Sequence, residues 1–218
     1  HGRVLQTFGP RKGPKRRRSP VLRRGGPLRV GYLSFDSREH PMGYLTRRLV
    51  SDHDPGRVET FTLSYGMNDG HVTRKRAEAR AAFVELQNAS IPETKERLAP
   101  LDLDVVVDLM THTRGARLEL ASEAASPAGA IMVSYLGYPG VAGGGHYDYT
   151  LADAVVLPPE VALQVPEPLA YLPFCYQAND YAPLWPALWP EKLETHDRVN
   201  FCNLNQIDKS EPASFELW

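Results

Sequence analysis

The sequence predicts an α/β protein built on a doubly wound parallel sheet, and three observations carry that prediction. Short β-branched runs recur along the chain. Segments of helical period separate them, so that strand and helix keep alternating. Each run ends in polar residues or glycine, as in sheets that hold ligands at the carboxyl ends of their strands.

In chain order, LRVGYLS at Leu28–Ser34 reads as the first buried strand, followed by Asp36 and Ser37. HPMGYLTRRLV, His40–Val50, has helical period, and VETFTLS, Val58–Ser64, alternates as a strand. Asp69 and Gly70 turn the chain into a basic, alanine-rich helix ending near Ala82. Ser90 and Glu93 form a capping box with Pro92 in the first turn, and Pro100 closes that helix before a strand at Asp104–Leu109. A helix from about Arg114 to Ala125, strands at Ala130–Tyr135 and Tyr147–Ala152, and a last segment at Leu169–Leu172 complete the sheet.

Composition bounds the rest. With 42% hydrophobic and 23% charged residues over 218 positions, the chain buries one good core and begins a second. The expected organisation is a disordered basic tail at 1–27, an α/β domain at 28–180, and at 181–218 a linker with the first strand and helix of a second domain. The tail holds Arg3, Arg11, Lys12, Lys15, Arg16, Arg17, Arg18, Arg23 and Arg24 among glycine and proline, with no acidic residue and no periodicity. KRRR at Lys15–Arg18 reads first as a solvated linker, then as a nuclear import signal or a weak phosphate-binding patch. Nucleic acid is disfavoured as a partner, because the tail lacks interleaved aromatics and the rest of the chain is acidic. Cys175 and Cys202 are too few for a disulfide framework and lack metal-ligand spacing, which points to buried thiols in a reducing compartment. No apolar stretch approaches the ~18 residues of a membrane span, and the N-terminus lacks the apolar core of a signal peptide. An intracellular protein without membrane contact is expected.

The polar strand ends supply the candidate chemistry. Asp36 and His40 are four apart around a helix start, where the carboxylate would orient the imidazole as a base or favour its charged form; simple helix capping is the alternative. Arg114 and Arg117 fall in the first turn of the next helix, where Arg117 would meet a phosphate or carboxylate, or merely face solvent. Gly137, Gly140, Gly143, Gly144 and Gly145 permit close approach of a ligand to the backbone, or serve tight packing.

Taken together, these blocks resemble a family. LRVGYLSFDSREHP, VVVDLMTHTRGARLEL, YLGYPGVAGGGHYDYTLAD with a PPE turn, YLPFCYQANDY and FCNLNQIDKSEPASFELW are similar, in order and spacing, to the catalytic region of protein O-GlcNAc transferases and their SPINDLY relatives. The resemblance implies the Rossmann-like first lobe of a GT-B glycosyltransferase at 28–180 and the start of a second lobe at Asn200–Trp218. It implies UDP-GlcNAc as donor and Ser or Thr hydroxyls of cytoplasmic or nuclear proteins as acceptors. It also implies an inverting displacement that requires no metal and no other cofactor. Residue by residue, Asp36 and His40 match the aspartate and histidine that face acceptor and sugar, and Arg117 matches the arginine of the GAR block. Leu136, Gly137, Pro139 and Gly140 would contact the region of the sugar. Gln206 matches the glutamine near the uracil and Lys209 the lysine on the donor phosphates, where a cation stabilises the charge that grows as UDP leaves.

The chain departs from the family pattern in places. Val141 and Ala142 replace small hydroxyl residues, and Ser126, Pro127, Ala128 and Gly129 replace an RPAP-like segment. His112 stands where fucose-transferring relatives place a histidine, which makes protein O-fucosylation from GDP-fucose the alternative; Pro41 and YQAND at Tyr176–Asp180 favour GlcNAc. Fuller relatives also carry tetratricopeptide repeats and the remainder of the second lobe. The chain alone is therefore expected to be inactive, with Trp185, Trp189 and Trp218 leaving apolar surface exposed. A catalytically silent lobe that acts as a binding module is the other alternative.

Overall fold

A computed structural model describes residues 7–8, 25–80, 82–125, 129–143, 145–181 and 211–216. The chain divides into two compact units, His1–Asp180 and Tyr181–Trp218. In the second, the described element is a short helix at Pro212–Glu216. The expected strand of the second lobe, Cys202 and the three tryptophans lie outside the described residues, and Cys175, expected to be buried, is exposed.

The first unit is a doubly wound α/β sheet. Its strands are β1 Thr7–Phe8, β2 Leu28–Ser34, β3 Val58–Ser64, β4 Ala82–Glu85, β5 Val105–Asp108, β6 Ile131–Ser134, β7 Tyr149–Ala152 and β8 Leu169–Tyr171. Among the described residues they form one eight-stranded sheet in the order β1-β8-β7-β6-β5-β2-β3-β4. All pairs are parallel except β1 with β8. The chain winds outward from β2 through β3 to β4, returns to β5 on the other side of β2, and then winds outward to β8. The direction therefore reverses between β2 and β5, where open α/β sheets form a crevice at the carboxyl ends of the strands.

Period-2 alternation divides the core between the two sheet faces. Leu33, Phe61, Leu63, Val106 and Met132 pack on one side with Leu98 and Leu120, which come from helices α4 Ile91–Leu98 and α5 Leu118–Ala125. Val30, Tyr32, Val107 and Val133 pack with Met42, Leu45 and Leu49 of α1 Pro41–Leu45 and α2 Arg47–Ser51. The connection from β3 to β4, α3 Val72–Arg80, carries little apolar surface and is anchored instead by a cation. Arg74 is 1% exposed. It donates to Ser64 Oγ at 2.7 Å and Glu78 Oε1 at 2.8 Å, pairs with Glu85, and lies 4.4 Å from the centre of the Phe83 ring. A buried guanidinium with this many partners ties α3 to both β3 and β4.

Several expected boundaries move, each for a local reason. The 40–50 helix breaks at Thr46, where ψ is 0° and Oγ1 donates to the Met42 carbonyl at 2.7 Å. The basic helix stops at Arg80, and Ala82–Glu85 becomes a strand because Phe83 and Val84 pair with β3. Gly115, at φ +90°, delays α5 to Leu118. Within the segment expected to be disordered, Thr7–Phe8 forms a strand. The outer rim of β8 offers unpaired peptide groups to it, and Thr7 and Phe8 register on Ala170 and Leu169. The capping box at Ser90 and Glu93 is present on both sides.

Candidate active site

The loops after β2, β5 and β6 line the reversal point. After β2, Asp36 is held by its backbone, whose N–H donates to Ser34 Oγ at 2.9 Å, and only 4% of it is exposed. Gly43 lets α1 lie against this loop: a Cβ there would stand 2.9 Å from the Asp36 carbonyl and 2.3 Å from that of Arg38. The buried carboxylate meets two cationic or ionisable groups. Arg38 Nη2 is 3.1 Å from Oδ1 and His40 Nδ1 is 3.2 Å from Oδ2, with 37% of the His40 side chain exposed.

His40 Nδ1 also lies 3.3 Å from the Met42 N–H at the start of α1. One ring nitrogen cannot both donate to Asp36 and accept from Met42. A lone pair facing a buried carboxylate is repelled, so the proton belongs on Nδ1, directed at Asp36. That leaves Nε2, on the exposed part of the ring, as the proton acceptor.

The β5 side is built differently. Asp108 ends β5, is 2% exposed, and accepts from the Met110 N–H at 2.9 Å, the Thr111 N–H at 3.3 Å and the Tyr147 hydroxyl at 2.5 Å. Burial pushes its carboxyl above the ordinary range despite these three donors. Burial, reinforced by the Asp108 charge, drives the Tyr147 hydroxyl upward as well. Thr111 sits at φ +52°, strained for a β-branched residue, and shares a 2.9 Å hydroxyl contact with Ser134. The Tyr65 hydroxyl feels both sides. Its pKa is raised by burial first, then by Asp108 and more weakly by Asp36.

The LGYPG loop leaves the end of β6. Leu136 turns it at φ +69°, and Gly137 packs so closely that a Cβ would lie 1.8 Å from the Leu109 carbonyl oxygen. Tyr138, Pro139 and Gly140 are exposed beyond it. His112 fixes the loop from the β5 side: Nε2 donates to the Ala142 carbonyl at 2.5 Å, and its ring meets Tyr138 edge-on at 5.2 Å.

Asp36 and His40 thus stand at the β2 end, with Leu136, Gly137, Pro139 and Gly140 on the loop two strands away. Arg117 has partners of its own, donating to Glu119 at 2.9 Å and to the Ala89 carbonyl at 3.1 Å. Gln206 and Lys209 lie outside the described residues. Tyr147, Ser134 and Tyr65 escaped the sequence reading. Nothing in the local pattern marked them: Tyr147 precedes β7 and packs in the core on the α4 and α5 side, whereas Tyr149, two residues on, packs on the α1 side.

The profile of glycosyl transferase family 41 matches residues 11–197. A probable UDP-N-acetylglucosamine–peptide N-acetylglucosaminyltransferase SEC from Arabidopsis thaliana is 31% identical over 210 residues, covering 91% of this chain and 21% of that protein. A UDP-N-acetylglucosamine–peptide N-acetylglucosaminyltransferase from Caenorhabditis elegans is 33% identical over 165 residues, 74% of this chain and 14% of its own length. The structure of a mutant O-GlcNAc transferase from Thermobaculum terrenum superposes with a TM-score of 0.61 at 22% identity, over 78% of this chain and 31% of that one, and bears on the fold alone. The chain spans about a fifth of the length of the Arabidopsis relative. Because the family profile runs through nearly all of the first unit, the chain belongs to glycosyl transferase family 41.

Proposed function

We propose that this chain is part of the catalytic region of a glycosyltransferase that moves N-acetylglucosamine from UDP-GlcNAc to Ser or Thr hydroxyls of cytoplasmic or nuclear proteins. One observation supports it above the others: a buried aspartate lies 3.2 Å from Nδ1 of a partly exposed histidine at the reversal point of the sheet, and the tautomer inferred from that contact turns Nε2 into the proton acceptor. The acceptor oxygen attacks the anomeric carbon, its proton passes to His40 Nε2, and the bond to the departing phosphate oxygen breaks with its electron pair going to UDP. Asp36 holds the ring and stabilises the imidazolium that forms. Lys209 receives the charge that grows on the diphosphate, and Gln206 holds the uracil. No metal is assigned a role. The 136–140 loop presents its backbone to the sugar, and the tetratricopeptide repeats of fuller relatives would select acceptors.

The test uses the chain extended through a second lobe. Calorimetry with UDP-GlcNAc and GDP-fucose compares the donors, and transfer to a Ser/Thr peptide is then assayed. UDP-GlcNAc binding with GlcNAc transfer is expected. His40→Ala should lower turnover by on the order of 10²-fold while leaving UDP affinity nearly unchanged, and Lys209→Ala should lower it by on the order of 10² to 10³. Preference for GDP-fucose would replace the donor assignment, and binding of neither would make the lobe a silent module.

A further inference from the structure

The peptide group joining Ala142 to Gly143 is gripped at both ends. His112 Nε2 donates to its carbonyl at 2.5 Å, and Glu167 Oε1 accepts from its N–H. Glu167 comes from the far side of the loop, in the segment leading into β8, and is 3% exposed. Its second oxygen, Oε2, is buried without a partner among the described residues. A carboxylate taken out of water for a single backbone donor is expensive for the fold, so its presence calls for an explanation beyond stability. The strength of a charge-assisted hydrogen bond to one particular amide supplies it.

We propose that Glu167 is a positioning residue: together with His112 it locks the Ala142–Gly143 peptide and thereby sets the loop that runs from Leu136 to Gly143. At its other end the loop is fixed by the close approach of Gly137 to the Leu109 carbonyl. Between the two anchors Tyr138, Pro139, Gly140 and Val141 are exposed. The loop is a bracket held at both feet and open in the middle, so its backbone meets a ligand without first paying ordering entropy. This inference rests on the proposed donor site only for the identity of the ligand.

Backbone amide exchange in the 218-residue chain tests the proposal. Glu167→Leu should raise exchange at Tyr138 and at positions 140–143 by about tenfold or more, the effect of losing one charge-assisted hydrogen bond, while amides of β5 and β6 keep their protection. Glu167→Gln, which retains an acceptor oxygen but not the charge, should restore part of the loop's protection. If the leucine variant fails to fold, His112→Phe, which keeps the ring contact with Tyr138 and removes the donor, must loosen the same positions. Unchanged loop exchange in Glu167→Leu or in His112→Phe, loosening spread evenly over the sheet, or no rescue by glutamine each overturns the proposal. In the chain extended through a second lobe, loop amides that UDP-GlcNAc does not protect count against the donor reading and leave the role of Glu167 in place.

Discussion

Two aspartates at the ends of neighbouring strands solve the same burial problem in opposite ways. Asp36, beyond β2, keeps its charge company with Arg38 and His40. Asp108, ending β5, is surrounded by neutral donors, and burial pushes its carboxyl up. The first arrangement ties a buried carboxylate to a partly exposed ring. The second sets Asp108 in a buried hydrogen-bonded network with Tyr147 and Thr111, whose hydroxyl meets Ser134. A carboxylate near a sheet's reversal point is therefore not catalytic by position alone; its partners decide whether it orients a base or braces a loop.

The largest effects should come from removing the close contacts that hold each side. Gly66 and Gly137 play matching parts, since a Cβ would lie 1.7 Å from the Phe35 carbonyl oxygen in one case and 1.8 Å from that of Leu109 in the other. Alanine at either position should lower stability by about 3 kcal/mol in urea denaturation. An unaffected Gly137→Ala variant would show that the β6 loop is not braced against β5.

A smaller loss should follow from Tyr147→Phe. Removing the hydroxyl deprives Asp108 of its shortest hydrogen bond, and ~1–2 kcal/mol of stability should go with it. Thermal melts of Tyr147→Phe and of the Tyr147→Phe/Asp108→Asn pair measure the coupling. Strictly additive losses would mean that the two groups do not interact.

Dependence on pH should separate the two aspartates further. Because the Asp108 carboxyl is raised in the folded chain, the folded state holds a proton that the unfolded chain has already released. Stability from this group is thus full below the ordinary carboxylate range and declines as pH rises toward the raised value. Asp108→Asn should flatten that decline, as read from urea midpoints between about pH 4 and 8. A slope unaltered in Asp108→Asn would assign the proton elsewhere.

The smallest effect belongs to His40. With more than a third of its side chain exposed, His40→Gln should change stability by no more than about 0.5 kcal/mol. A much larger loss would make the Asp36–His40 pair a structural brace like its neighbour.

The sequence disclosed the strands whose stabilisation is local and missed what depends on distant partners. Leu28–Ser34 is legible to the residue as a short apolar run that ends in polar residues, and Val58–Ser64 as an alternating run with three β-branched residues. Ala82–Glu85 was hidden behind an alanine-rich helix, and only its pairing with β3 and the Arg74–Glu85 contact make it a strand. The Asp36–His40 pair was legible because i,i+4 spacing across a helix start is itself a geometry. Tyr147 acts across 39 positions on Asp108, and Glu167 across 24 on Gly143, distances at which spacing in the chain carries no information.

The two-residue strand β1 has a practical side. Thr7 and Phe8 cover part of the outer rim of β8, the one antiparallel pairing among the described residues. A shortened version starting at Pro27, the natural choice for someone trimming a basic, low-complexity leader before crystallisation, would bare that rim. It would then offer a template for a strand from another molecule, and the trimmed protein would trade solubility for tidiness.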